Sequence, residues 1–523
     1  MKKILVIVFV MVMLAIACGT QKANDTENLY QPPDEGQPAF EVTDTLPPPP
    51  PPEVQASPMS QKRCGDGVCD GPETAENCPQ DCGEESGPPV VAPPQQTGGT
   101  PDYEPPINIF LVLHIDPVMD QAKETFKVTP EIYHRTKAEI LWLKEEAERH
   151  NMQFTALFNG WYPKEALELG DLDQFQGLLE AGHEIGTHAH RLTYDEEKDL
   201  WISWVDELSK LDPKVYDHDL ARQTWFDAYF YVDAMLTEIG VTDQNETVCA
   251  VAFKLSDQGQ LMEEFGFSIA AGQQGESAIN FFGHIIWNPW RPTSSDDPGL
   301  SLTEDLNTNF IAVPHLAQIG IRGGVHGTDL SLEQIQRRFL MLYIEWLRRE
   351  RTGAEDKVWS FGFVYHPEDG DVFNDTFADF LTWLDANFVG KTSPHGNIIA
   401  QYASIGEIAD QYIIWEDQHP GTSSFSYKID DPYPYSYEIL PNLLGDAAFE
   451  REVDLVEEVT VYQFLQEGKA IYVLWSDKGE VTIDFSSELS GEVTTINSAG
   501  LQTVVNSSAI TLSEEPLFIQ LQE

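Results

Sequence analysis

The run INIFLVLHID, residues 107–116, is apolar almost without interruption until its last three positions. A strand with one face in water alternates apolar and polar residues, whereas a short, near-continuous apolar run suits a strand buried on both faces. Parallel sheets covered by helices bury their strands in that way, so this stretch sets the expectation of an α/β fold. The sequence that follows agrees. TPEIYHRTKAEILWLKEEAERHN (129–151) offers Thr129 as N-cap, Pro130 as first helical residue, Glu131 in the first turn, and apolar Ile140, Leu141 and Leu143 further in. MQFTALFNGW (152–161) reads as a strand, DLDQFQGLLEAG (171–182) as a helix stopped by Gly182, and HEIGTHA (183–189) as a third strand. Later, VCAVAFKL (248–255) and KVWSFGFVYH (357–366) read as strands, and residues 330–353 and 375–388 as helices. This alternation predicts parallel strands in a sheet or barrel with helices outside.

The flanks are different. Beyond about Pro420 the helices stop, and GKAIYVLWSD, GEVTIDFS, GEVTTINS and AITLSEEPLFIQLQ are short alternating strands with Gly and Ser turns, which predicts a terminal β-sandwich over 421–523. At the other end, residues 1–17 carry a basic start (Lys2, Lys3), an apolar run and small residues before Cys18, the layout of a secretory leader. A cysteine at the expected cut resembles a bacterial-type lipoprotein signal, with Cys18 lipidated, so the protein is expected to be exported, as a cell-envelope lipoprotein or extracellular. Residues 18–62, with LPPPPPPEV, read as an extended spacer that cannot bury a core. In residues 63–83, Cys64, Cys69, Cys78 and Cys82 are spaced for a small disulfide-stapled module; Asp66, Asp70, Glu73 and Asp81 make it a candidate Ca2+ loop. Residues 84–105 are a second proline-rich linker, and 106–420 the α/β domain.

At 523 residues and 41% hydrophobic content the chain can bury more than one core. Its 86 acidic against 31 basic residues give a formal charge of -55, which opposes nucleic acid and anionic membrane surfaces at long range. Any membrane association is therefore expected through the N-terminal lipid alone. Oligomeric state is not readable from the sequence.

Parallel α/β sheets gather working residues at the carboxyl ends of their strands. The first predicted strand ends in His114 and Asp116, the third in His188 and His190, and the last runs into His366. Two histidines and one carboxylate are a competent donor set for a divalent cation of the Zn2+ type, leaving a position for water whose pKa falls toward neutrality. A further histidine opposite could protonate a leaving amine or alcohol. His183, at the start of its strand, is expected to be structural. GIRGGVHGTD reads as a turn, Cys249 as core, Asn245 as a glycan acceptor if the host glycosylates, and Trp161, Trp225, Trp287 and Trp290 as candidates to line a sugar groove.

At these residues the chain resembles the polysaccharide deacetylases, carbohydrate esterases that remove acetyl groups from glycans. The likeness rests on GHEIGTHAH, LHIDP, FKLSDQGQLMEEFGF, NPWRP followed by FIAVP, FGFVYHP and ASIGEIADQY, and spans residues 107–412. It implies a distorted (β/α) barrel of fewer than eight strands, a divalent metal on one Asp and two His, a polysaccharide or oligosaccharide substrate, and hydrolytic deacetylation. Residue by residue, Asp116 is ligand or base; if it is the ligand, Asp120 could serve as base. The family's metal histidines stand four apart, which from His188 lands on Leu192, so His190 or His114 would substitute. Arg291, or Lys254, would orient the base, and His366 matches the late histidine acting as acid. Two alternatives stay open: a glycan-binding barrel without catalysis, and a glycoside hydrolase drawing paired carboxylates from Asp116, Glu184, Asp195 and Glu196.

Overall fold

The computed structural model describes residues 104–116, 125–189, 192–203, 218–241, 247–250, 264–271, 285–286, 288–292, 305–309, 311–313, 315–319, 331–352, 357–367, 373–393, 395–422, 427–428, 439–456, 458–476 and 478–521. All lie within one compact unit, Ser57–Glu523. The leader with Cys18, the spacers and the cysteine module with its Ca2+ loop fall outside the described residues, as do Asp120, His190, Asn245, Lys254, Trp287 and the glycine cluster at 320–329.

In chain order the first elements are β1 (Ile107–Ile115), β2 (Thr125–Phe126), α1 (Pro130–Arg149), β3 (Phe154–Phe158), α2 (Trp161–Leu169), α3 (Asp173–Glu180) and β4 (Glu184–Ala189). Next come β5 (Leu192–Asp195), β6 (Leu200–Ser203), α4 (His218–Glu238), β7 (Thr247–Ala250), β8 (Ile269–Ala271), β9 (Ile285–Ile286), β10 (Ile311–Val313) and β11 (His315–Ile319). Then follow α5 (Leu332–Thr352), β12 (Trp359–Tyr365), α6 (Asn374–Asn387), β13 (Ala400–Tyr402), α7 (Ile405–Gln418) and β14 (Tyr427–Lys428). The chain ends with α8 (Leu440–Leu444), β15 (Ala448–Glu452), β16 (Val459–Gln466), β17 (Lys469–Ser476), β18 (Val481–Ile483), β19 (Glu492–Asn497), β20 (Gln502–Asn506), β21 (Ile510–Leu512) and β22 (Leu517–Gln520).

The central sheet is parallel throughout and orders its strands β10-β8-β7-β4-β3-β1-β12-β11. It has nine strands rather than fewer than eight, because β13 also pairs with β1 at Ile107–Ile109 while β3 takes over from Leu111 onward. Among the described residues no ladder joins the edge strands β10 and β11.

β1 is buried along its whole length, as its composition requires. Its odd positions, Ile107 to Ile115, join the large core that α1, α5 and α6 cover, and its even positions Phe110 and Val112 pack with Ile405, Ile408, Tyr412 and Trp415 of α7. The expected start of α1 is present: the Thr129 side chain accepts from Ile132 N at 3.3 Å, and Pro130 opens the helix. Such a cap is worth about 1 kcal/mol.

Helix α7 is tied to the amino ends of the strands. Ser404 and Glu407 form a reciprocal capping box. Glu184 Oε1 accepts from Ser404 Oγ at 2.5 Å and from Gly406 N at 3.1 Å, while Thr155 Oγ1 donates to Glu184 Oε2 at 2.7 Å. A carboxylate is thus held at a helix N-terminus, where the free N–H groups and the dipole favour it. A Cβ at position 406 would lie 2.4 Å from Glu184 Oε1, so only glycine allows this approach.

Beyond α7 the strands are antiparallel. Six form the order β15-β16-β17-β22-β19-β20, and β18 pairs with β21. Strict alternation divides the larger sheet: Tyr462, Phe464, Ile471, Val473 and Trp475 enter the core shared with α5, while Val459, Val461, Tyr472 and Leu474 pack with Ile483, Phe485, Ile510 and Leu512. Helices do not stop at 420, since the short α8 intervenes; its Leu440, Leu443 and Leu444 fill the shared core. Among the described residues no helix is long and apolar enough to cross a membrane.

Candidate active site

At the opposite, carboxyl ends of the strands, the face lined lower down by Phe110, Val112 and Val364 changes character. Period 2 puts His114 on that face of β1, Asp116 in line with it one residue past the strand, His188 on the same face of β4, and His366 one residue past β12. His188 Nε2 lies 2.5 Å from Asp116 Oδ1, and His366 Nε2 lies 3.7 Å from Asp116 Oδ2. The ring of His114 stacks on His188, centroids 4.4 Å apart, and meets His366 edge-on at 5.4 Å. Each of the four is at most 8% exposed. Burying polar groups costs roughly 1–3 kcal/mol wherever a hydrogen bond is lost, so four of them beside the apolar Phe110, Val112 and Val364 of the same face make this cluster the candidate site.

The structure therefore brings together Asp116, His188, His114 and His366. Arg291 goes elsewhere. Its guanidinium donates to both carboxylate oxygens of Glu416, from Nε at 2.7 Å and Nη2 at 2.6 Å, and from Nη1 to the Thr308 carbonyl at 2.9 Å. That fork ties the β9–β10 connection to α7, and the ion pair with its hydrogen bonds raises the Arg291 pKa above its ordinary value. Glu184 is committed to the start of α7, and Asp195 pairs with Lys198 at 2.7 Å, so neither faces Asp116 as the second of two carboxylates. Trp161, Trp225 and Trp290 are fully buried and belong to the core, not to a groove.

The donor chemistry fits a divalent cation, one carboxylate with imidazole nitrogens. Among the described residues no group of three or more such side chains is disposed around a common point. Asp116 and His188 are the two donors in contact; a third would come from His114, stacked on His188, or from His190.

No family model matches the chain, and no curated protein does. Solved structures do overlap it. A Mycobacterium smegmatis protein classed as a polysaccharide deacetylase shares 13% identity over 60% of this chain and 96% of its own, with a TM-score of 0.34. Puue allantoinase gives 12% identity, 60% and 92% coverage and a TM-score of 0.37, and the peptidoglycan deacetylase PdaC from Bacillus subtilis 9%, 61%, 98% and 0.25. Overlaps this loose transfer no residue role.

Sequence reasoning missed Asn159, which follows β3. It lies one step past the ladder pairs Ile115–Phe158 and Phe158–Thr187, hence between Asp116 and His188 on the same face. The signal was available: LFN, like LHID and GTH, ends an apolar strand on a polar residue.

His183 is structural. Its ring stacks on Phe154 at 3.8 Å and its Nδ1 accepts from Phe154 N at 3.1 Å. Burial holds its pKa down at about 4, against an ordinary 6.5. The unfolded chain therefore takes up this proton first, and the contribution, on the order of 3 kcal/mol, is present above pH 6.5 and lost as pH falls toward 4. Asp227 of α4, pushed up to about 6 by burial, works with the opposite sign, gaining stability as pH falls below that value. Comparison with a variant isolates the histidine: His183→Gln is expected to flatten the loss of urea stability between pH 6.5 and 4, and curves that stay parallel would contradict the assignment.

Proposed function

We propose that the protein is a cation-dependent hydrolase of the deacetylase type, built on a distorted (β/α) barrel, that removes acetyl groups from a glycan. The reading is carried by one observation: a carboxylate with an imidazole at each oxygen, at the ends of parallel strands far apart in sequence. Asp116 and His188, with His114 or His190, would hold the cation, Zn2+ being the first candidate. When bound, such a cation polarises the acyl carbonyl and lowers the pKa of its water.

The chain's own groups supply the rest. Asp116 would set its two oxygens against the imidazoles of His188 and His366. His366, 3.7 Å from Asp116 Oδ2, would hand a proton to the departing amine or alcohol. The four side chains are themselves nearly buried, which would limit bulk water around this exchange. With a charge of -55 the surface suits neutral or amino-bearing glycans over anionic ones. The leader and Cys18 would hold the activity at the cell envelope.

The test is release of acetate from N-acetylchitooligosaccharide with zinc and with a chelator. Release is expected only with the cation, and His366→Ala is expected to lower kcat about 10^2- to 10^4-fold with cation uptake retained. No release by the zinc-loaded protein would favour the glycan-binding reading, which the joining of these imidazoles by a single described carboxylate already supports.

A further inference from the structure

We infer that Asn159 is a positioning residue that sets the meeting of Asp116 with His188. The inference rests on the functional reading above for its importance, but its geometry stands apart from it. Asn159 is 1% exposed. Its Nδ2 donates to the His188 carbonyl at 3.0 Å, and its main-chain N–H to the Ile115 carbonyl at 3.4 Å. One residue thus grips the backbone of both strands that carry the pair, at the row where the side chains meet. A side-chain amide here continues the sheet one step past the last β3–β4 ladder pair, where separate strand ends would otherwise fray.

Asn159 is itself held in place. Its carbonyl accepts from Tyr162 N at 3.2 Å, opening α2. The next residue, Gly160, admits no side chain: a Cβ there would meet the Asp227 carbonyl oxygen at 2.3 Å and Trp201 Cη2 at 3.1 Å. Helix α4 and strand β6 therefore close on the turn, leaving the amide little room to move. Among the described residues nothing donates to the buried Asn159 Oδ1. Keeping an amide with one idle acceptor in the interior is unfavourable for packing alone, where leucine of similar size would serve. The donor to His188 is what the amide supplies and leucine cannot.

Asn159→Leu removes the donor together with the idle acceptor but leaves the His188 carbonyl without this donor, so the fold is expected to survive with a modest fall in Tm. Asn159→Asp keeps the shape and removes the donor, and serves if the leucine protein does not fold. Crystal structures of the metal-free wild type and variant, and zinc affinity by competition with a chromophoric chelator, are the readouts. The Asp116–His188 contact is expected to open beyond about 3.5 Å in the variant, with zinc affinity down about 10- to 100-fold, the loss typical of residues that orient ligands. A residue that only stabilises the fold would lower Tm and leave both quantities unchanged. An unchanged contact overturns the inference, and so does an opened contact with unchanged zinc affinity. Should the wild type take up no zinc, the functional reading fails instead, and the contact distance alone decides the role of Asn159.

Discussion

His188→Ala is expected to abolish cation uptake and acetate release together, while leaving the protein folded. The imidazole is fully buried and contacts Asp116 directly; its removal takes away the described imidazole nearest the carboxylate, His366 lying at 3.7 Å. A cation site that loses one of three protein donors keeps too few bonds to compete with water. Loss of the ring also strips His114 of its stacking partner. Stability should fall by about 2–4 kcal/mol, the cost of a cavity in a packed core. Dialysis against zinc followed by metal analysis, alongside the acetate assay, reads both effects, and full occupancy in the folded variant would contradict the ligand role.

Asp116→Asn should be as severe for activity and gentler on the fold. The amide is isosteric and keeps an acceptor toward one imidazole, but the negative charge that a cation requires is gone. Cation affinity is expected to fall more than about 100-fold, beyond what an orienting residue supplies, and acetate release with it. Were Asp116 the base rather than a ligand, the asparagine protein would bind zinc as the wild type does and still release no acetate. Calorimetric titration with zinc, set against the rate, separates the two roles.

These expectations depend on side chains that stand out by their positions in the sequence. His114, Asp116, His188 and His366 interrupt apolar strands at the ends where loops converge, and polar groups there are hard to explain by packing. The strand β1 was legible for the complementary reason, since burial on both faces leaves no polar alternation to misread. Arg291 was not legible. Its partner Glu416 lies 125 positions away, and a charge beside a proline-rich turn looks the same whether it meets an ion-pair partner or an active site.

Local chemistry also hid several elements. Helix α2 begins within Trp-Tyr-Pro directly after a strand, which reads as a turn until Pro163 is seen to lie in a first helical turn, where proline is tolerated. The strap of β2, β6 and β5 pairs a two-residue strand with partners more than seventy positions on, too little sequence to carry an alternation. Helix α4 mixes aromatic and acidic residues around its circumference and shows no clean apolar stripe. The place of α7 against the even face of β1 was equally hidden, because an apolar helix face does not say which side of a sheet it will cover.

The central claim is that Asp116 and His188 converge on one cation. Diffraction from crystals of the full chain grown with zinc, recorded on both sides of the zinc absorption edge, tests it most directly. The account predicts an anomalous peak bonded to Asp116 and His188, with a third imidazole from His114 or His190. Zinc bound elsewhere, with the carboxylate and imidazole still closed on each other, would contradict it.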